Sequence, residues 1–287
     1  MLASDRRLTA GMGSSKGQLI DDDTCKLVNL CNIWGIGYSG SAHLEHIPTH
    51  EWIAIKLAES NCGSSELAGK VLTDKANDAL RRLPLELRRQ VFIITGWNYF
   101  VNHSGMRPFV CIITNFLDDS YRPMLTARDS LDCRVHELPK DEGMRLLVIG
   151  QPLRLERGER LERNLRRLVN REIGPREALR LLSDEIIHTA VLDNNATVGS
   201  KILGLCIPLK AVERQLQTGD SAMLAKSPDQ ESVTFTYFDS GYDELQQHGP
   251  TFVCGDFAAT DIETENDPSR DFQSAQCRIL RGASKLR

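Results

Sequence analysis

Short, nearly uninterrupted runs of Ile, Val and Phe come in pairs along this chain, and stretches of helical periodicity separate the pairs. That alternation limits the fold more than any single motif does. "VFIITGW" (91–97) and "PFVCIITNF" (108–116) are too short for core helices and rich in β-branched residues, so both read as buried strands. "MRLLVIGQ" (144–151) reads as a third. Near the start, "MLASDRRLT" reads as one strand, "GMGSSKGQLIDDD" (11–23) as a loop or wide hairpin, and "KLVNL" and "IWGIGYSG" as two short strands. Further strands are expected at "VGSKILGLCIPL" (198–209), "SVTFTYF" (232–238) and "GPTFVCGDF" (249–257).

Four helical regions lie between these runs. "IPTHEWIAIKLAESN" (47–61) begins at Pro48 and Thr49, with Thr49 the expected N-cap. Residues 64–90 place Leu67, Val71, Ala76, Leu80 and Leu83 at helical spacing until Pro84 interrupts. "RGERLERNLRRLVNRE" (157–172) carries Leu161, Leu165 and Leu168 opposite a face of paired Arg and Glu. "IGPREALRLLSDEIIHTAVLDN" (173–194) puts Pro175 in a first turn and turns Ala178, Leu181, Leu182, Ile186 and Val191 inward. Strands, two helices, strands, two helices, strands is an α+β order. It suits two stacked sheets with helices on their outer faces, an αββα sandwich. The expectation is a single domain over residues 1–255, then a polar, loose C-terminal tail over 256–287.

Composition narrows the function. A net charge of −4 argues against nucleic acid as a partner. No apolar run approaches the length of a membrane span and no leader is evident, so a cytoplasmic location is expected. The eight Cys form no C-x-x-C pair and read as reduced core thiols. "HLEHIPTHE" gathers His43, His46, His50 and Glu51, residue types that ligate zinc, but Pro48 breaks the register an H-E-x-x-H helix needs. "GMGSSKG" lacks the G-K-[ST] ending of a P-loop. Neither a metal nor a cofactor is expected.

These segments, in this order, resemble the proteasome β-subunit group of N-terminal-nucleophile hydrolases over roughly residues 1–210. "LASDRRLTAG" is similar to that family's second strand, with an Asp, an Arg two residues on, a Thr and a Gly. "KLVNL…GIGYSGSA" resembles its Lys-bearing strand and the Gly-rich turn into the first helix. "FIITGWN", "LLVIGQPL" and "GPREALRLLSDEIIHTAVLDNNATVGSKI" resemble the later strands and the fourth helix. The resemblance implies a four-layer αββα sandwich that assembles into oligomers, and peptide or small amide substrates. It also implies a threonine-type mechanism. In that mechanism a Thr at the mature N-terminus attacks the carbonyl and the chain's own α-amine, with a pKa near neutrality, serves as base. Asp5 and Lys26 would set the local charge, with Arg7 in support. Backbone N–H groups of "GYSGSA", at Gly37 and Gly40, would stabilise the oxyanion.

The chain departs from the family pattern in places. Gln151 stands where a Ser is expected, and Asp193, Asn195 and Thr197 stand in for a later Asp–Ser pair. Leu2 after Met1 blocks Met removal, so as written the chain is expected to be inactive unless an upstream strand supplies the nucleophile. The alternative is a non-catalytic scaffold or ring subunit of a proteasome-like assembly.

Overall fold

The Ile/Val runs are continuous because both faces of the strands they form are covered. In the computed structural model, Phe92 and Ile94 point into one core and Val91 and Ile93 into another. On the neighbouring strand Cys111 and Ile113 join the first core and Ile112 the second. Period-2 alternation therefore divides one apolar run between two cores. The structure describes residues 1–9, 18–62, 64–100, 105–119, 121–137, 146–149, 155–170, 175–191, 193, 196–207, 209, 212–213, 236–239, 246–265 and 275–281.

The chain opens with β1 (Leu2–Asp5), β2 (Leu8–Thr9), β3 (Leu19–Asp21), β4 (Leu27–Leu30), β5 (Trp34–Gly40), β6 (His43–Leu44) and β7 (Ile47–Pro48). Helices α1 (Thr49–Glu59) and α2 (Ser65–Leu80) follow, then β8 (Gln90–Phe100), β9 (Gly105–Thr114) and β10 (Asp132–Glu137). After α3 (Leu155–Asn170) and α4 (Pro175–Val191) come β11 (Ile202–Cys206), β12 (Thr236–Asp239), β13 (Gln246–His248), β14 (Thr251–Cys254), β15 (Phe257–Glu265) and β16 (Ala275–Arg281). Nine strands form one sheet in the order β10-β9-β8-β5-β4-β14-β15-β13, with β16 also paired to β15. A second sheet has the order β1-β11-β12. The fold is mixed α+β.

Helix α1 packs on β4, β14 and β15, and α2 on β8, β9 and β10. Trp52 of α1 stacks on Phe92 at 6.5 Å between ring centroids and 17° between planes. Helix α4 packs on β1, β11 and β12, with α3 against α4 through Leu161, Leu165 and Ala178. The two sheets touch where β1 meets β4 and β5 and where β11 meets β4. Gly35 makes that approach feasible. A Cβ there would lie 2.8 Å from Leu2 Cδ1 and 3.0 Å from Leu205 Cδ2, so two leucines of the small sheet sit in the space a side chain would fill.

Several expectations need correction. The first strand is two pieces, because Arg6 and Arg7 leave the ladder between β1 and β2, and β2 pairs with β3 as a short hairpin. Pro48, not Thr49, occupies the N-cap position of α1; the Thr49 hydroxyl donates instead to the Ser41 carbonyl at 2.8 Å. Ser64 caps α2, accepting from the Leu67 amide at 3.2 Å. Residues 146–149 carry no strand pairing. Leu147 and Ile149 are half-buried against Ile93, Ile112 and Leu117, and Leu146 against Leu161 and Leu165, while Val148 is exposed. The segment read as a loose tail contains β15 and β16, which extend the large sheet and bury Ala258, Ala259 and Ile262. A register shift between Thr260 and Glu263 hides the alternation of β15. Cys133 and Cys277 are exposed rather than core thiols.

Gly35→Val should overpack the contact between the sheets and cost about 1–3 kcal/mol. Trp52→Ala should cost about 3–5 kcal/mol by opening a cavity against Phe92. Urea unfolding of both variants measures these costs.

Candidate active site

Asp5 and Lys26 are 21 residues apart in sequence, and a set of backbone ties brings them together. The Arg6 amide donates to the Lys201 carbonyl at 3.0 Å, and the Thr24 amide donates to the Arg6 carbonyl at 3.1 Å. The Arg6 guanidinium donates to the Asp23 carbonyl at 2.6 Å. Arg7 grips Asp22 with two bonds, Nε to Oδ1 at 2.6 Å and a terminal nitrogen to Oδ2 at 3.0 Å. This fork-to-carboxylate geometry raises the Arg7 pKa and lowers that of Asp22. Residues 22–24 are thereby fixed against residues 6 and 7, and the next turn of chain delivers Lys26 to the end of β1.

The Lys26 ammonium lies 3.1 Å from Asp5 Oδ1, with side-chain exposures of 14% and 19%. The same oxygen accepts from the Arg7 amide at 2.9 Å and the Gly199 amide at 3.3 Å. Among the described residues Asp5 Oδ2 accepts no hydrogen bond, so one carboxylate oxygen is held while the other keeps its acceptor capacity. Arg7 thus acts twice: its amide orients Asp5, and its guanidinium fastens the segment that carries Lys26.

Asp5 and Lys26 open onto a cleft of about 830 Å³. One wall is β1 itself, which pairs with β11 along one edge and with no strand along the other among the described residues. Ile93, Val110 and Ile112 of the large sheet form the floor, residues 146–149 a side, and Leu161, Leu165, Leu182 and Ile186 of α3 and α4 the roof. Thr95, Glu185, Thr189 and Thr197 add polar points. Tyr121 and His136 also line it, hydrogen-bonded through the phenol oxygen and Nε2 with rings edge-to-face at 5.5 Å.

All five residues singled out from the sequence, Asp5, Arg7, Lys26, Gly37 and Gly40, border this cleft. Gly37 lies inside β5, between Leu27 of β4 and Ile93 of β8, rather than in a turn. Gly40 ends β5 with φ of +126°, and a Cβ there would fall 2.2 Å from the Arg89 carbonyl oxygen, so the position requires glycine. The following Ser41 amide donates to Gln90 Oε1 at 2.8 Å. Of the later stand-ins, Thr197 reaches the cleft and Asp193 pairs with Arg157. Asn195, Gln151 and the 11–17 Gly-rich run lie outside the described residues. Sequence reading missed Tyr121, His136 and Glu185, because only strand register and helix packing bring them to the cleft.

The histidine-rich stretch is dispersed. His43 is exposed in β6, His46 sits in a left-handed turn with φ of +66°, and His50 is buried in α1. Among the described residues no three His, Cys, Asp or Glu side chains form a metal-holding group. Burial pushes the His50 pKa down to about 4, partly offset by Glu51 and Asp261. Among the described residues no helix is long and apolar enough to cross a membrane. No protein-family model matches this sequence, and no curated protein matches it significantly.

Two outcomes are expected. Asp5→Ala strands Lys26 and two amides and should cost about 2–3 kcal/mol, whereas Lys26→Ala leaves Asp5 its amide donors and should cost about 1 kcal/mol. Equal costs in urea unfolding would contradict this asymmetry. His50 is neutral when folded and binds a proton more readily when unfolded. Its contribution is therefore present above about pH 6.5 and lost as pH falls toward 4, roughly 2 kcal/mol by pH 5. His50→Phe should remove that part of the acid slope in stability measured between pH 7 and pH 5.

Proposed function

We propose that this protein is an N-terminal-nucleophile hydrolase of the proteasome-subunit type, a peptidase or small-amide hydrolase with a threonine-type mechanism. The observation that carries the reading is the Asp5–Lys26 pair at the end of a strand whose second edge faces a deep, largely apolar cleft. Helices on the outer face of each sheet, with the sheets in contact through Gly35, support the αββα reading.

In this reading an extended segment pairs with the open edge of β1 and presents a Thr, Ser or Cys at its free amino end beside Asp5. The segment's amine takes the hydroxyl proton as the oxygen attacks the substrate carbonyl. The Lys26 ammonium favours the deprotonated nucleophile by its charge, and Asp5 Oδ2 accepts a hydrogen bond from the attacking group. Gly40 and Ser41 border the same cleft, and the Ser41 amide would receive the developing oxyanion by giving up its bond to Gln90 Oε1. Apolar walls from Ile93, Ile112 and Leu182 favour substrates with a hydrophobic side chain next to the scissile amide.

A second reading, a non-catalytic ring or scaffold subunit, draws support from the β2–β3 hairpin. Strand β3 presents Leu19 and Ile20 at 56% and 64% exposure, apolar side chains suited to another subunit.

The discriminating experiment isolates the protein from its natural source, sequences its amino terminus and assays fluorogenic peptide amides. A terminal Thr, Ser or Cys is expected, with hydrolysis lowered at least 100-fold by Asp5→Asn while the thermal midpoint moves little. Hydrolysis unaffected by Asp5→Asn, or none with any amide, overturns the enzymatic reading.

A further inference from the structure

On the face of the large sheet opposite the cleft, two thiols lie against each other. Cys111 Sγ in β9 and Cys133 Sγ in β10 are 3.4 Å apart. Cys111 pairs across the ladder with Val135, and Cys133 with Ile113, so the cysteines are diagonal neighbours on the side covered by α2. Gly69 of α2 backs them both: a Cβ there would stand 3.4 Å from each sulfur. Cys111 is buried and Cys133 is exposed at the sheet edge, so Cys133 is the more accessible residue of the pair.

We propose that Cys111 and Cys133 form a peroxide-responsive dithiol, in which a hydroperoxide oxidises Cys133 and Cys111 resolves it to a disulfide. The Cys133 thiolate attacks the terminal peroxide oxygen, the O–O bond breaks, and the alcohol or water leaves with the proton, giving a sulfenic acid. The Cys111 sulfur then attacks that sulfur, and the hydroxyl departs as water with the Cys111 proton. Two thiols and one hydroperoxide give one disulfide, one alcohol or water, and one water. The Cys133 thiol is suited to the first step: the Cys111 hydrogen bond lowers its pKa to about 7, helped by Thr73.

Geometry makes the product a switch. Diagonal cross-strand neighbours typically have Cα atoms about 7–8 Å apart, beyond the roughly 4.4–6.8 Å of relaxed disulfides. Closing the sulfurs from 3.4 Å to about 2 Å therefore draws β10 inward. As the terminal strand of its sheet, β10 pairs with no strand but β9 among the described residues, so it can shift without breaking a second ladder. It carries His136, whose ring meets Tyr121 on the cleft wall, so oxidation on one face shifts a side chain on the other. The strain also leaves the bond readily reduced. The chemistry of the thiols does not depend on what the cleft binds.

The test treats the purified full chain with excess hydrogen peroxide, alkylates remaining thiols, and maps unreduced peptides by mass spectrometry. Peptides containing Cys111 and Cys133 should be joined and lighter by two hydrogens, and dithiothreitol should separate them. Cys133→Ser should abolish the link. Cys111→Ser should keep the circular dichroism of the folded chain and accumulate a dimedone-reactive sulfenic acid at Cys133. Cys277, also exposed, is the internal comparator. Oxidation of Cys277 as fast as Cys133, or oxidation of Cys133 without the link to Cys111, overturns the proposal.

Discussion

Everything near the cleft depends on how closely two sheets approach at Gly35. With no side chain at that position, Leu2 of β1 and Leu205 of β11 settle directly onto β5. Leu27, Leu203 and Leu205 fill the seam beside them. The contact is apolar and non-directional, so it supplies free energy but not register. Register comes from the polar ties alongside it, where Arg6 and Arg7 bind the segment at residues 22–24. A hydrophobic seam sets the distance between sheets, and a small set of hydrogen bonds sets which residues face each other across it.

That division of labour explains the Asp5–Lys26 pair. A partly buried ion pair contributes little net stability, because desolvation offsets most of its attraction. Asp5 is nevertheless held by two backbone amides and a lysine on a single oxygen. Such an arrangement orients a carboxylate more than it stabilises a fold, and orientation is what a reacting group needs. The cleft beside it combines this fixed charge pair with an apolar floor and roof, the composition expected of a site that binds an organic ligand by burial and positions it by a few polar groups.

The sequence conveyed the parts of the fold whose physics is local. β8 and β9 were readable because strands buried on both faces have unbroken apolar runs, and α2 because its apolar positions keep helical spacing. β10, "DCRVHE", escaped because an edge strand with one wet face carries ordinary polar residues. β16 escaped for the same reason, whereas in β15, paired on both sides, a register shift masks the alternation. "LLVI" misled in the other direction: three of its four residues are half-buried against neighbouring clusters without being paired, and Val148 is exposed. At the site, Asp5 and Lys26 came only through resemblance to a family, since nothing local links residue 5 to residue 26. Tyr121 with His136, and Cys111 with Cys133, depend on strand register and loop path, which short-range patterns do not encode.

The central claim is that the open edge of β1 receives a strand whose leading residue attacks an amide beside Asp5. A crystal structure of the naturally produced protein soaked with a peptide aldehyde tests it most directly. The account predicts a strand paired to β1 and a covalent bond from its terminal hydroxyl or thiol to the aldehyde carbon, within hydrogen-bond reach of Asp5. An aldehyde absent from the cleft, or bound there with no nucleophile near Asp5, would contradict it.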